Sequence, residues 1–281
     1  MKVFDTIEAM RAWSARCKKE DLSMALVPTM GYLHEGHLSL VKQARLSSKR
    51  VVVSIYVNPA QFAPGEDLDR YPRDIERDLQ LCREEHVDAV FFPTDAMMYP
   101  EPYRTYVITQ DWAQRLCGKS RPTHFRGVTT IVTKLFNIIE PHLAVFGQKD
   151  AQQAIIIKRM TQDLNFNIRI IIGETLREED GLAMSSRNKY LTTHERKEAP
   201  VLYRSLQMAR QSYRNGQQDL EFIKNKIESM ITQQSSGQID YIEAVDFDNF
   251  EPPEAHTKQI LIALAVQFGK ARLIDNIVIE K

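Results

Sequence analysis

The sequence predicts an α/β protein: a Rossmann-like, doubly wound parallel sheet followed by a smaller C-terminal α+β domain. Three observations point to it. Short β-branched runs alternate with longer helical stretches through the first two-thirds of the chain. The run Arg50–Val57 is apolar almost without interruption, as a strand buried on both faces of a parallel sheet must be. After Asn188 the rhythm changes to two helices and then three strands. The 281 residues suit about two domains.

Along the chain, Met24–Pro28 reads as a strand and, after a glycine-containing turn, His37–Ser48 as a helix. Arg50–Val57 is the next strand, Asp74–Glu85 a helix and Asp88–Phe92 a third strand. Val128, Ile131, Val132, Leu135, Phe136 and Ile139 line one helix face, which Pro141 terminates. Leu143–Phe146 and Ile168–Ile172 are strands with a helix from Asp150 to Asp163 between them, so right-handed βαβ units follow. Beyond a boundary near residues 176–188, Thr193–Arg214 reads as one long helix stopped at Asn215–Gly216. A second helix puts Leu220, Ile223, Ile227, Met230 and Ile231 on one face, and Gln233–Gly237 is a loop. Strands are expected at Gln238–Phe247, Gln259–Phe268 and Ala271–Ile279. The expected domains are therefore residues 1–178 and 186–281.

Composition narrows the function. Lys+Arg and Asp+Glu both number 37, for a formal net charge of zero, so the global basic field of a dedicated nucleic-acid binder is missing. No apolar run approaches the roughly 20 residues of a spanning helix, and residues 1–14 carry no secretory h-region. Cys17, Cys82 and Cys117 are scattered with no CxxC pair, which reads as reduced thiols in a cytoplasmic protein.

Three segments carry the chemistry. Pro28–His37 (PTMGYLHEGH) sits where the first strand turns into the first helix, the edge at which open α/β sheets bind ligands and helix N-termini attract anions. His34 and His37, three apart, share the first turn, and Gly31 and Gly36 allow close approach to the backbone. A zinc-protease motif needs histidines four apart, and the alternative is a helix N-terminus with two surface histidines. Phe146–Gln153 (FGQKDAQQ) places Lys149 at the same sheet edge, either as a fixed positive charge or as a solvated loop lysine, with Asp150 as a cap residue. Asp180–Asn188 (DGLAMSSRN) offers two hydroxyls and a guanidinium to phosphate oxygens, or is an ordinary polar linker. Asn58 and Gln61 in VNPAQF are neutral amides that suit a small polar substrate or a turn around Pro59. Arg121 and His124 precede the amphipathic helix and either face the site or cap that helix. Neither GxGxxG nor the phosphate-loop pattern occurs.

Together PTMGYLHEGH, VNPAQF, YPRD, RPTHFRGV, FGQKDAQQ and DGLAMSSRN stand in an order and spacing that resembles the pantothenate synthetase family. They cover roughly residues 28–190, and LAVQFGKARLIDNI near the C-terminus resembles that family too. It is a family of the HIGH-motif nucleotidyltransferase superfamily, with HEGH and MSSR at the signature positions. The resemblance implies an ATP-dependent ligase that joins D-pantoate to β-alanine through a pantoyl adenylate, releasing AMP and pyrophosphate. It places ATP, with Mg²⁺, against Met30, Gly31, Tyr32, Leu33, His34, Glu35, Gly36 and His37. Gly147, Gln148, Lys149, Asp150, Leu176, Met184, Ser185, Ser186 and Arg187 complete that set. Leu176 stands where the family often has Val, at a main-chain contact to adenine, and Tyr32 and Gln148 fall at positions the family varies. Gln61 and Gln153 would hold pantoate with Asn58 beside them, and His34, His37 and Lys149 would meet the developing charge. No carboxylate cluster marks the Mg²⁺ ligands. A homodimer is implied. The mechanism also requires the C-terminal domain to close as a lid that keeps water from the adenylate, with Ser185–Arg187 at the hinge. The competing readings are a transferase that keeps the nucleotide in its product and a non-catalytic ATP sensor.

Overall fold

A computed structural model describes residues 1–281. The chain divides into two units: residues 1–113, 121–148 and 152–174 form the first, and residues 114–120, 149–151 and 175–281 the second.

The first unit is built on β1 (Lys2–Phe4), β2 (Met24–Thr29), β3 (Arg50–Ile55), β4 (Ala89–Phe91), β5 (Leu143–Gly147) and β6 (Arg169–Gly173). They lie in the order β1-β4-β3-β2-β5-β6, every neighbour parallel. Its principal helices are α1 (Ile7–Lys19), α2 (Glu35–Ser47), α3 (Ile75–Glu84), α6 (His124–Ile139) and α7 (Ala151–Asp163, whose first residue groups with the second unit). The short α4 (Asp95–Met98) belongs here as well, and α5 (Cys117–Ser120) to the second unit.

Strand alternation explains how both faces are covered. On β2, Met24 and Leu26 join the cluster built with α1, α6 and α7, while Ala25 and Val27 join the one built with α2 and α3. On β5, Ala144 and Phe146 face the first set, Leu143 and Val145 the second. Connections depart in opposite directions from the adjacent strands β2 and β5, so the topological switch point lies between them. The ends of PTMGYLHEGH and FGQKDAQQ nearest the strands therefore emerge side by side.

The second unit packs α8 (Thr193–Glu198), α9 (Val201–Arg214) and α10 (Leu220–Gln234) with β7 (Gln238–Asp246), β8 (Gln259–Phe268) and β9 (Ala271–Glu280). The strands form an antiparallel meander β7-β8-β9. Ile260, Ile262, Leu264, Val266 and Phe268 alternate along β8 into a core with Leu206, Ile223, Ile227 and Ile231.

Three departures from the sequence reading have local causes. The single helix Thr193–Arg214 is two, α8 and α9, because Pro200 has no N–H to continue the ladder. The elements β1 and α1 precede the first predicted strand. The former has three residues, and the latter buries a stripe of Met10, Trp13, Ser14 and Cys17 that a serine dilutes. α2 starts at Glu35 rather than His37 because His34 itself caps it. No helix is long and apolar enough to cross a membrane, and the three cysteines are buried and outside any disulfide.

Candidate active site

The turn from β2 into α2 is held open by a buried carboxylate. Asp78 on α3, 1% exposed, accepts the Leu33 N–H at Oδ1 and the Tyr32 N–H at Oδ2, both at 2.7 Å. Two consecutive amides converge on one carboxylate only if the chain reverses sharply. Gly31 and Tyr32 do so at φ +80° and +51°, in the left-handed region. A Cβ on Gly31 would also lie 3.0 Å from Asp78 Oδ2 and from Ile55 Cγ2, so glycine is required here by the protein itself. Arg77 finishes the anchor, donating to the Leu33 carbonyl at 2.8 Å with its guanidinium 5.4 Å from the Tyr32 ring centre. Burial pushes the Asp78 carboxyl up, against the pull of the Leu33 and Tyr32 amides and the Arg77 charge. Asp78 lies inside an ordinary amphipathic helix pattern, and nothing local in the sequence marks it.

The two histidines cap each other. His34 is the N-cap of α2 and its Nδ1 accepts the Gly36 N–H at 3.1 Å; the His34 N–H in turn donates to His37 Nδ1 at 3.3 Å. The rings lie 4.0 Å apart between centres, tilted by 41°. Because both Nδ1 atoms accept backbone N–H groups, each neutral ring carries its proton on Nε2. The pair is thus set as the tautomer that donates from Nε2, at the positive end of a helix.

Beside this turn, Met30 and Gln61 meet: Gln61 Nε2 donates to Met30 Sδ at 3.0 Å. Asn58, 1% exposed, spends its whole amide internally. Its Nδ2 donates to Gln61 Oε1 and to the Gly127 carbonyl, both at 3.1 Å. Its Oδ1 accepts from the Tyr99 hydroxyl at 2.7 Å and the Ala60 N–H at 3.3 Å. Arg121 and His124 reach the same turn from the start of α6. Arg121 binds the Glu66 carboxylate with two nitrogens and the Gln61 carbonyl at 3.2 Å, and His124 Nδ1 lies 2.9 Å from that carbonyl. Both residues therefore fix the Gln61 backbone. Gln153 is half-buried in the first turn of α7.

In the second unit, Lys149 follows the end of β5 with its side chain 20% exposed and its Nζ 3.5 Å from Asp150 Oδ2. Its carbonyl accepts from Asn276 Nδ2 at 3.0 Å. The segment Leu176–Arg187 is a tight reversal: the Met184 N–H donates to the Leu176 carbonyl at 3.0 Å, and Arg177 bridges Ala183. Ser185 caps the following turn, its hydroxyl accepting the Arg187 N–H at 3.2 Å. Asn188 braces the reversal through the Glu178 carboxylate and the Ala183 carbonyl.

A cleft of about 560 Å³ lies at the other edge of the large sheet, where β3 and β4 begin, lined by Lys2, Arg16, Arg50, Arg83, His86 and Asp88 among others. It holds none of the motif residues, and its Asp88 is already paired with Arg45 and Arg50.

Comparison with known proteins agrees with the motif reading. A sequence model of the family described as pantoate-β-alanine ligase matches residues 2–278. The pantothenate synthetase of Acetivibrio thermocellus is 52% identical over 280 residues, covering 100% of both chains. The crystal structure of pantothenate synthetase from Thermus thermophilus superposes with a TM-score of 0.93 at 41% identity, over 99% of each chain. That of pantoate-β-alanine ligase from Francisella tularensis, complexed with β,γ-ATP and β-alanine, gives 0.81 at 35% identity, over 99% of this chain and 97% of the other. Matched by the family model over residues 2–278 and by a relative 52% identical along its whole length, the chain belongs to the pantoate-β-alanine ligase family.

Proposed function

We propose that this protein condenses D-pantoate with β-alanine to pantothenate at the expense of ATP, by way of a pantoyl adenylate. The observation that carries this reading is the β2–α2 turn. Two imidazoles fixed as Nε2–H donors stand at a helix N-terminus, on the strand edge next to the switch point. The pantoate carboxylate attacks the α-phosphorus of ATP and the bond to pyrophosphate breaks. The β-alanine amine then attacks the acyl carbon and AMP leaves. The first step brings a carboxylate to a polyphosphate, so fixed donors and cations must meet the charge that develops.

In this reading His34, His37 and Lys149 stabilise that charge. ATP binds against Met30–His37, Gly147–Asp150 and Met184–Arg187, with the side chains of Ser185, Ser186 and Arg187 at its phosphates and the main chain of Leu176 at its adenine. Gln61 and Gln153 bind pantoate through their amides. Asn58, whose own hydrogen-bonding groups are all engaged within the chain, acts by holding Gln61. The chain has no group of three His, Cys, Asp or Glu side chains able to hold a metal by itself. Mg²⁺ bound together with ATP would neutralise phosphate charge as the carboxylate approaches. We place the protein in the cytoplasm, on its three scattered cysteines outside any disulfide, and as a homodimer, on its family.

Nucleotide product analysis tests the reaction, with ATP, Mg²⁺, D-pantoate and β-alanine present and each omitted in turn. AMP and pyrophosphate should accumulate only with both organic substrates. Lys149→Ala should lower the rate by about 10²–10³-fold, the usual cost of one charge-stabilising donor. Production of ADP, or a folded enzyme that turns nothing over, would overturn the mechanism.

A further inference from the structure

Strand β9 carries two adjacent buried polar residues, Asp275 (2% exposed) and Asn276 (4%), in the middle of the small sheet. Successive side chains on a strand point to opposite faces, so these two serve different sides of the sheet. Asp275 shares the face of Leu273, Ile277 and Ile279, which line the core under α9 and α10. A carboxylate there is costly unless fully paired. It is paired: Arg177 donates to both its oxygens, Nη1 to Oδ2 at 2.6 Å and Nη2 to Oδ1 at 2.9 Å. The Arg177 guanidinium lies 3.7 Å from the centre of the Tyr203 ring and also donates to the Gly181 carbonyl at 3.1 Å. Asp275 Oδ1 then accepts the Asn276 N–H at 2.7 Å. From the opposite face, Asn276 Nδ2 donates to the Lys149 carbonyl at 3.0 Å.

We infer that Asn276 is a positioning residue for Lys149, and that Asp275 and Arg177 hold Asn276 in place for that task. The inference rests on the charge-stabilising role of Lys149 given above. A lysine is a point charge on a flexible four-carbon stem, so its effect on a reacting phosphate depends on where its Cα is held. Asn276 ties down the Lys149 main chain from a strand, a firmer support than the single helical turn Gln148–Asp150 that carries it. Arg177 directly follows Leu176, so the same hydrogen-bonded chain ties the Leu176–Arg187 reversal to Lys149. This gives the LIDNI segment a task that burial by itself does not explain. Two polar side chains in place of two apolar ones add nothing to the hydrophobic core.

The test is a double-mutant cycle on the full-length enzyme, reading single-turnover adenylate formation and the KM for each substrate. Asn276→Ala should lower the adenylation rate by about 10- to 100-fold, the scale of a misplacement near 1 Å, with the KM for β-alanine changed less than about threefold. Asn276→Leu, which keeps the branched shape but removes the donor without burying a charge, should do the same and stands in should the alanine variant not fold. In the Lys149→Ala background neither change should slow adenylation further, because the group being positioned is gone. An equal fractional loss in both backgrounds, or an undiminished rate in the single variants, would overturn the proposal. Should Lys149→Ala alone retain full activity, the lysine's role fails first, visible without any change at position 276, and this proposal falls with it.

Discussion

Asp78 shows what one buried carboxylate does when it accepts instead of ionising freely. Its two oxygens take two successive N–H groups of the turn that leads into His34, so the turn has no alternative register. Asp78→Asn keeps the volume but turns one acceptor into a donor facing an N–H. One amide is left unsatisfied, at a cost of about 1–3 kcal/mol. We expect a lower melting temperature and a kcat reduced at least tenfold, since the histidines ride on this turn. Steady-state kinetics with a thermal melt decide it: a variant within twofold of wild type would show that the histidines are placed by α2 alone. His34 makes a related point. Sequence rules favour Ser, Thr, Asp or Asn as helix caps, and here an imidazole fills the role, its partner three residues on closing the box.

Helix α6 and the short turn Pro59–Gln61 form one mechanical element. A Cβ on Gly127 would meet the Ala60 carbonyl oxygen at 2.3 Å and Gln61 Cα at 2.5 Å, distances backbone atoms cannot tolerate. The glycine in RPTHFRGV therefore lets the helix come close enough for its carbonyl to accept from Asn58 and for Arg121 and His124 to reach Gln61. Gly127→Ala should push the turn outward, costing about 1–3 kcal/mol as overpacking. If Gln61 binds pantoate, kcat/KM for pantoate should fall by about tenfold or more while the KM for β-alanine stays near its normal value. Unchanged pantoate kinetics in a folded Gly127→Ala enzyme would take Gln61 out of the pantoate site.

Over the whole molecule, charge is balanced and much of it is paired, which sets the response to acid. Burial alone would raise Glu66, but the hydrogen bond and charge of Arg121 outweigh it and hold the carboxyl below its usual range. Asp180 is likewise held low, the Arg196 bond and the Leu182 amide overcoming burial. A carboxyl whose folded pKa is depressed adds stability that is fully present above its unfolded value, about 4. That stability disappears as pH falls through the folded value. Denaturant melts between about pH 6 and pH 3 should therefore show stability falling steadily, and Glu66→Gln combined with Asp180→Asn should flatten the slope below about pH 4. An unchanged slope would assign acid sensitivity to other groups.

Periodicity and turn chemistry are local, so the alternating strands and helices, the second fold unit and the motif blocks around His37, Lys149 and Ser185 were all legible in the linear chain. Pro200 was legible too, yet a helical pattern on both sides of it masked the break. Asp78 and Asn276 were not, because their partners lie 45–46 and 127 residues away, and a hydrogen bond between distant residues leaves no period behind. Asn58 and Arg121 read equally well as ligand-binding groups or as struts, since an amide or a guanidinium has the same donors for either. Residue order alone dictates which chemical groups this protein carries and where along the chain they fall. Which of those groups are spent inside the protein, and which backbone each one holds, follows only from the folded arrangement, because satisfying a buried polar group depends on what surrounds it in space.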